Sequence, residues 1–270
     1  MMDLLAKEKK LYSYIQKWKK AIVAFSGGVD SSYLLYSSFK ALGAENVLAV
    51  IASSETYPQH EKDEALAFIE KYGLNYQIIE TDELGVINKH NNPTDRCYHC
   101  KKELFTDLSK IAEIKGYDVI FEGSNIDDLN DFRPGMKAVN ELDVKSPLKA
   151  VEMTKKDIRA LSKHHGLSTW DKPAFACLTS RFMYHTKIEA AVLNQIEQAE
   201  NFLRQYQFRQ YRVRYINDEA VVEVDPGEVK RAQELSDEII SRLREIGFAK
   251  VSIDPEGYRR GRMNQFIEKN

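Results

Sequence analysis

The sequence predicts an α/β protein, with a doubly wound parallel sheet followed by a smaller α+β domain. Short apolar runs rich in β-branched residues alternate with amphipathic segments through the first half of the chain, which is typical of parallel strands covered by helices on both faces. At 270 residues the chain is long enough for one large core and a second, smaller unit. We therefore expect a first domain at residues 1–180 and a second at residues 181–270.

The elements of the first domain follow from these runs. Strands are predicted at AIVAF, VLAVIA, NYQII and YDVIFEG, which begin at Ala21, Val47, Asn75 and Tyr117. Helices are predicted near residues 31–42, 59–72, 99–115 and 154–165, and a glycine follows each: Gly43, Gly73, Gly116 and Gly166. Glycine is common there because it adopts the left-handed conformation that ends many helices.

The second half begins with WDKPAFACLTSRFMY, from Trp170 to Tyr184, which has neither a helical nor a strand period and contains Pro173. This pattern predicts a loop at the domain junction, and loops of this length are often functional. A helix near residues 188–206, the strand-like runs QYRVRYI and AVVEVD, another helical stretch and a last strand KVSID then predict the smaller domain.

Composition narrows the class of protein. Hydrophobic residues make up 43% and charged residues 30%, as in ordinary globular proteins. No run approaches the roughly 20 apolar residues of a membrane span, and the N-terminal segment is too charged for a secretory signal, so we expect a cytoplasmic protein. The formal net charge of -2 gives no overall attraction for nucleic acid, which favours a small-molecule substrate.

The segment between the first strand and the first internal helix carries the strongest chemical signal. It consists of Ser26, Gly27, Gly28, Val29, Asp30, Ser31 and Ser32, and such small residues let backbone N–H groups and a helix N-terminus face an anion. SGGVDSS resembles the signature loop of the ATP pyrophosphatases (the PP-loop superfamily), which cleave ATP between the α- and β-phosphates. The resemblance implies an adenine nucleotide alpha hydrolase-like domain in which the loop holds pyrophosphate and Asp30 places Mg²⁺. The alternative is a structural turn; a Walker loop is excluded, since GxxxxGK[ST] does not occur.

Two further segments follow predicted strands, where open α/β sheets bind ligands. Ser53 and Ser54 end the second strand, and the superfamily binds adenine near this edge; a helix cap is the alternative. Gly123 and Asp128 lie in EGSNIDD after the fourth strand. The acidic pair Asp127 and Asp128 coordinates magnesium in one interpretation and caps a helix in the other.

The whole set of motifs resembles the sulfur transferases called LarE. SGGVDSS, EGSNIDDLNDFRPG, CLTSRF, YRVRY and GYRRGRMN occur in the order found in that family and cover nearly the whole chain. LarE enzymes use ATP to adenylylate a carboxylate of pyridinium-3,5-biscarboxylic acid mononucleotide and convert it to a thiocarboxylate, on the way to the nickel-pincer cofactor of lactate racemase. The resemblance implies that substrate, and also a homo-oligomer.

The cysteines raise the question of the sulfur source. Cys97 and Cys100 form a C-x-x-C pair and Cys177 lies alone in the loop PAFACLTSR. The arrangement resembles PP-loop sulfur transferases in which three thiolates hold a [4Fe-4S] cluster, leaving one iron without a protein ligand to carry a hydrosulfide. The alternatives are Cys177 as a sacrificed sulfur donor, structural zinc that includes His99, and inert thiols.

Arginines supply the expected anion-binding groups. Arg212 and Arg214 alternate with Val213 on a predicted strand, so both point to one face and can clamp a phosphate; a solvated strand face is the alternative. Further cations that could meet the substrate or ATP are Arg181, Arg259, Arg262 and Arg133. We expect Arg181 and Asp30 to act in catalysis together with the three cysteines.

Three other functions remain open at this point. A PP-loop tRNA thiolase shares the loop and the cysteines, but the chain has no further paired cysteines and no net basic charge. A nucleotide- or metal-binding protein without activity would show no pyrophosphate release. An amide-forming PP-loop synthetase would not need the cysteines, and full activity of a Cys97→Ala variant would support it.

Overall fold

The computed structural model of the chain describes residues 2–130, 134–173, 176–259 and 261–263. The chain divides into two compact units: Met1–Ser54, Gln59–Asp82 and Asp95–Phe175 form the first, and Glu55–Pro58, Glu83–Thr94 and Ala176–Asn270 form the second. The second unit therefore includes two short segments that precede residue 180. In the described part of the chain, no helix is both long enough and apolar enough to cross a membrane.

Helices and strands alternate along the first 80 residues of the chain. In chain order the elements are α1 (Met2–Ile15), β1 (Ala21–Ala24), α2 (Val29–Leu42), β2 (Val47–Ser53), α3 (Gln59–Tyr72), β3 (Asn75–Glu80), α4 (Glu83–Lys89), α5 (Arg96–Lys115), β4 (Val119–Phe121), α6 (Gly135–Glu141), α7 (Pro147–Ala150), α8 (Lys155–His164), α9 (Ala190–Arg204), β5 (Tyr211–Ile216), β6 (Glu219–Val224), α10 (Val229–Glu234), α11 (Ser236–Ile246) and β7 (Lys250–Ile253). Short 3₁₀ helices lie at Ala44–Asn46, Ile126–Asn130, Leu178–Arg181 and Pro226–Glu228.

The first unit is built on a four-stranded sheet in the order β3-β2-β1-β4, and each pair of neighbours is parallel. Ile22 of β1 lies opposite Leu48 of β2 and Ile120 of β4. These residues pack with Phe105 and Leu108 of α5 in a buried cluster, which explains why the strands are continuous apolar runs. The predicted parallel α/β sheet is confirmed.

The order of the strands reverses at β1, in the interior of the sheet. The chain leaves β1 toward β2 on one side, and β4 pairs with β1 on the other side. In sheets of this kind, ligands bind outside the carboxyl ends of the strands at the point where the strand order reverses. The segment after β1 and the segment after β4 meet this description.

Helix α5 differs from its prediction in a way that matters for the cysteines. It begins at Arg96 rather than near residue 99, because the N–H of Tyr98 donates to the carbonyl of Asp95 at 2.7 Å and starts the first turn. Cys97 and Cys100 therefore lie inside the helix. Short helices such as α4 and α6 were not predicted, since each spans only seven residues and carries little periodic signal.

The second unit contains a three-stranded sheet in the order β5-β6-β7. Strands β5 and β6 are antiparallel and β6 and β7 are parallel. Val213 and Val222 are paired across β5 and β6 and are fully buried. Ile196 and Leu203 of α9 are also fully buried. A smaller α+β unit after the parallel sheet is therefore confirmed.

Candidate functional site

The segment Ser26–Ser32 bends sharply after β1 and is packed closely by neighbouring elements. Gly27 has a φ of +65°, and a Cβ there would lie 3.0 Å from the Cβ of Ala65 on α3. Glycine is thus required both by the left-handed backbone and by the space. We call Ser26–Ser32 the phosphate loop, the name that its predicted role gives it.

Helix α2 starts inside this loop with its first N–H groups available. The N-cap is Gly28, which has no side chain to cap the helix, so backbone N–H groups at this end can bind an anion. The hydroxyl of Ser31 lies 3.1 Å from that of Ser26 and donates to the carbonyl of Gly28 at 3.2 Å. The hydroxyl of Ser32 is fully buried and makes no hydrogen bond within the described residues. The loop therefore fits a bound pyrophosphate group.

Gly123, after β4, touches the phosphate loop directly. A Cβ on Gly123 would lie 3.1 Å from the backbone nitrogen of Ser31 and 3.3 Å from its Cα. The two segments that follow β1 and β4 therefore lie against each other at the carboxyl edge of the sheet, as expected from the strand order. Any side chain at residue 123 would displace the first turn of α2.

Replacing Gly123 by alanine is expected to raise the KM for ATP about tenfold, because overpacking costs about 1–3 kcal/mol and the displaced atoms belong to the phosphate loop. Pyrophosphate release at varied ATP measures this effect. The matched control is Gly116→Ala, where a Cβ meets nothing within 4 Å but φ is +68°. The control is expected to lose stability and keep its KM; an equal KM in both variants would contradict the prediction.

Two lysines that the sequence analysis missed lie beside the phosphate loop. The ammonium of Lys155 lies 2.6 Å from Oδ2 of Asp30. That of Lys172 lies 2.6 Å from Glu61 and 2.8 Å from Glu64, and donates to the carbonyl of Gly27 at 3.3 Å. The Lys155–Asp30 and Lys172–Gly27 contacts join residues 125 and 145 positions apart, so no local pattern indicates them.

The residues predicted at the other strand ends have specific contacts. Ser53, at the carboxyl end of β2, is buried and accepts a hydrogen bond from the ammonium of Lys62 at 2.8 Å, and Ser54 follows it half-buried. Asp128 accepts from the N–H of Asn125 at 3.0 Å, and Asp127 accepts from the N–H of Lys155 at 2.8 Å. The acidic pair thus makes backbone hydrogen bonds, while magnesium binding by Asp128 stays a prediction.

All three cysteines lie among the described residues, and none forms a disulfide bond. Cys97 is exposed and Cys100 half-buried in the first turns of α5, and a spacing of three places both on one side of a helix. In the second unit, the half-buried Cys177 precedes the 3₁₀ helix Leu178–Arg181, and its sulfur lies 2.8 Å from Oγ1 of Thr179. No group of three or more His, Cys, Asp or Glu side chains in the described ranges is arranged to hold a metal ion.

Arg181 is fully buried in the second unit and holds the backbone around Cys177. Its Nε and Nη2 donate to Glu200 at 2.9 and 2.7 Å, and its Nη1 donates to the carbonyls of Ala176 at 2.5 Å and Cys177 at 3.1 Å. Burial alone lowers the pKa of Arg181, but the Glu200 carboxylate outweighs it, so this pKa lies above its usual range. Arg181 thus holds the backbone at Ala176 and Cys177 in place, while its role in catalysis stays a prediction.

Arg212 and Arg214 are both buried, so the alternative of a solvated strand face is wrong. Arg214 donates to Glu223 at 3.0 Å and to the carbonyl of Ser180 at 2.9 Å. The guanidinium of Arg212 lies 5.7 Å from the ring centre of Tyr258. Burial, reinforced by the charge of Arg181, lowers the pKa of Arg212 to about 10. An added anion would therefore stabilise the Arg212 cation.

The remaining predicted arginines have different surroundings. Arg262 donates to Glu223 at 2.8 Å and also to Asp254, and so joins Arg214 in one ion-pair network around the buried carboxylate of Glu223. Arg259 is exposed and pairs with Glu256 at 2.5 Å. Arg133 lies outside the described residues.

The sequence of the chain is similar to those of several known proteins. The NAD synthase family model matches residues 5–104, which include the phosphate loop. Over 269 residues the chain is 35% identical to the pyridinium-3,5-bisthiocarboxylic acid mononucleotide synthase of Lactiplantibacillus plantarum, and the match covers 100% of this chain and 98% of that protein. The chain belongs to the LarE family.

Other relatives are similar over most of this chain. An uncharacterized protein of Synechocystis is 35% identical over 268 residues (98% of this chain, 100% of that protein), and one of Methanocaldococcus jannaschii over 243 residues (90% and 92%). The matches to the L. plantarum synthase and to the NAD synthase family show that the chain is an ATP-using PP-loop enzyme. Because the NAD synthase match ends at residue 104 while the synthase match spans the whole chain, the amide-forming and tRNA-thiolase alternatives are not favoured.

Proposed function

We propose that this LarE-family enzyme adenylylates a carboxylate of pyridinium-3,5-biscarboxylic acid mononucleotide, releases pyrophosphate and converts the carboxylate to a thiocarboxylate for nickel-pincer cofactor synthesis. The observation that carries the proposal is the phosphate loop, packed against Gly123 at the point where the strand order reverses, in a chain that matches the L. plantarum synthase over its full length.

The first step uses the groups around the phosphate loop. A carboxylate oxygen of the substrate attacks the α-phosphorus of ATP, the bond from that phosphorus to the β-phosphate oxygen breaks, and pyrophosphate leaves. The N–H groups at the start of α2 and the hydroxyls of Ser31 and Ser32 bind the leaving group. Lys155 and Lys172 add positive charge beside it. Mg²⁺ bound at Asp30 would offset the charge of the pyrophosphate.

The second step replaces an oxygen of the activated carboxylate with sulfur. Sulfide attacks the carbonyl carbon of the acyl adenylate, and AMP departs with the oxygen that linked it to that carbon. Cys97 and Cys100 provide a pair of thiols on one helix face, and Cys177 provides a third in a loop held by Arg181. The three thiols would hold a [4Fe-4S] cluster, which would supply the sulfide. A sacrificed Cys177 is the competing sulfur source.

The cationic groups of the second unit are proposed to bind the substrate's anionic groups. Arg212 is one candidate, because it is buried near the positive charge of Arg181, which a bound anion would offset. The carboxylates of Glu223 and Asp254 already pair with Arg214 and Arg262. The first unit would then bind ATP, with Ser53 and Ser54 near the adenine, and the second unit would bind the mononucleotide. The proposed enzyme is a cytoplasmic homo-oligomer. Its substrate is this small molecule and not nucleic acid.

The adenylylation proposal predicts exchange of labelled pyrophosphate into ATP only when pyridinium-3,5-biscarboxylic acid mononucleotide is present. Such exchange, reduced about 100-fold or more in Asp30→Asn because charge stabilisation at a transferring phosphoryl group is lost, would support the assignment. The assignment would be contradicted if the pyrophosphate exchange required the substrate of an ammonia-using synthetase. It would also be contradicted if the mononucleotide supported no exchange. Lys110→Met is the control, since this lysine is exposed and pairs only locally with Asp107.

The sulfur source is tested by anaerobic purification with iron and acid-labile sulfide analysis. We expect about four irons per chain, and loss of iron in each of Cys97→Ala, Cys100→Ala and Cys177→Ala. Absence of iron from protein never exposed to air, with conversion of Cys177 to dehydroalanine after one turnover detected by mass spectrometry, would replace the cluster with a sacrificed cysteine.

A further inference from the structure

The helical turn that carries the paired thiols is packed closely within the first unit, and two neighbours meet it at Lys101. The first is helix α6: a Cβ on Gly135, the first residue of α6, would lie 2.7 Å from Cδ of Lys101 and 3.3 Å from the carbonyl of Cys97. Helix α6 thus packs on this turn with no space for a methyl group. Close packing of this kind transmits small displacements directly to its neighbours.

The second neighbour is a buried carboxylate, Glu122, which directly follows β4. It is 5% exposed and accepts hydrogen bonds from the hydroxyl of Ser124 at 2.8 Å, from the N–H of Ser124 at 3.2 Å and from the hydroxyl of Ser146. Its Oε2 also lies 3.3 Å from the ammonium of Lys101. Burial alone raises the pKa of Glu122, but Lys101 and the two serines outweigh it, so this pKa lies below its usual range.

Lys101 connects this carboxylate to the thiols. It follows Cys100 directly and lies four residues after Cys97, a spacing that places Lys101 and Cys97 on the same side of α5. Side chains on a helix lean toward its N-terminus, so the stem of Lys101 runs along the turn that bears both cysteines. The ammonium of Lys101 therefore contacts Glu122, while its stem is covered by Gly135.

We propose that Glu122 is a positioning residue for the paired thiols: by holding Lys101 it fixes the rotation of the Cys97–Lys101 turn, and therefore the direction in which both sulfurs point. The inference rests on the proposed role of these thiols as a ligand pair. It explains why a buried carboxylate lies at the carboxyl end of β4, next to the phosphate loop, with four donors around it, although neither proposed reaction step uses it.

The test is amide hydrogen exchange in the reduced, metal-free protein, with iron content measured in parallel after anaerobic reconstitution. In Glu122→Gln and in Lys101→Met, exchange at residues 97–101 is expected to rise about tenfold, since loss of one charge-assisted contact costs about 1.5 kcal/mol. Residues 105–112 of the same helix are expected to keep their exchange rates, and iron content is expected to fall. Lys101→Arg preserves the contact with Glu122 and is expected to restore both readouts.

Lys102→Met is the matched control, because Lys102 is on the same helix but exposed, with its ammonium at Tyr98 and Glu141. The inference would be overturned if amide exchange at the turn stayed unchanged in Glu122→Gln and Lys101→Met. It would also be overturned if exchange rose equally in Lys102→Met. If the wild type binds no iron but the turn loosens only in the Glu122 and Lys101 variants, positioning holds and the cluster proposal fails. If iron binds normally in all variants, the positioning inference fails alone.

Discussion

Replacement of Arg181 by methionine is expected to destabilise the second unit by about 3–5 kcal/mol, because it leaves a buried carboxylate without its cation. The side chain of Arg181 is 0% exposed and that of Glu200 is 7% exposed, so water cannot take the place of the lost guanidinium. Glu200 also accepts from the N–H of Val213 at 2.9 Å, which ties the charge to the centre of β5. Cys177 would lose the hydrogen bond to its carbonyl as well.

Urea denaturation followed by fluorescence measures this loss. The matched control is Arg242→Met, since Arg242 and its partner Glu245 are 52% and 60% exposed and such pairs contribute about 0–1 kcal/mol. The double variant Arg181→Met with Glu200→Met is expected to recover part of the stability, because it removes the unpaired charge. Equal losses in Arg181→Met and Arg242→Met would show that the buried pair is unimportant.

The same ion pair predicts how stability depends on pH. Burial alone raises the pKa of Glu200, but Arg181 outweighs it, so the pKa in the folded protein lies below the ordinary value. The pair's contribution is therefore complete above the unfolded pKa of about 4.3 and is lost as the pH falls toward the folded pKa. Acid unfolding of Glu200→Gln is expected to show a shallower slope below about pH 4.3; an unchanged slope would contradict this.

Replacement of Lys172 by methionine is expected to raise the KM for ATP about 10–100-fold, which corresponds to about 1.4–2.8 kcal/mol. Lys172 is 11% exposed and neutralises the carboxylates of Glu61 and Glu64 beside the phosphate loop. Without it, those carboxylates would repel the phosphates of ATP, and two charges about 4 Å apart at a protein surface interact with about 4 kcal/mol. The carbonyl of Gly27 would also lose a donor.

A double variant separates this charge effect from simple loss of packing. Lys172→Met with Glu61→Gln removes one of the repelling charges and is expected to recover part of the affinity, measured as the KM for ATP in pyrophosphate release. Lys155→Met provides a comparison at Asp30, where Mg²⁺ can take over the neutralisation at high magnesium. A double variant with a higher KM than Lys172→Met would contradict the electrostatic explanation.

The strands and longer helices of the first unit are more predictable from the sequence than its short helices. The runs that predict β1, β2 and β3 coincide with strands of the structure, and α3 lies at residues 59–72 as expected. Strands β1 and β2 are buried almost throughout, and such burial leaves a local apolar pattern, as helix-ending glycines do for the helices. Helix α5 was placed three residues late, since its first turn contains polar residues and cysteines without periodicity. The seven-residue α4 was missed because its buried residues, Leu84 and Ile87, are too few to form a pattern.

The candidate site divides in the same way. The phosphate loop and the three cysteines are visible in the sequence because their chemistry depends on residue types at short spacings. Lys155, Lys172 and the Glu122–Lys101 pair are not visible, because their contacts join residues 21 to 145 positions apart. The burial of Arg212 and Arg214 could not be predicted either, since a strand's two-residue period tells which side chains share a face but not what covers that face.

By itself, the sequence determined the class of fold, the phosphate loop, the number and spacing of the cysteines, and the family. Each of these depends on residue types at short spacings or on motifs that follow one another along the chain. Only the tertiary structure decided which charges neutralise one another: Lys155 with Asp30, Lys172 with Glu61 and Glu64, and Arg181 with Glu200. The physical reason is that the strength of an ion pair depends on distance and on exclusion of water, and both arise only when distant segments pack together.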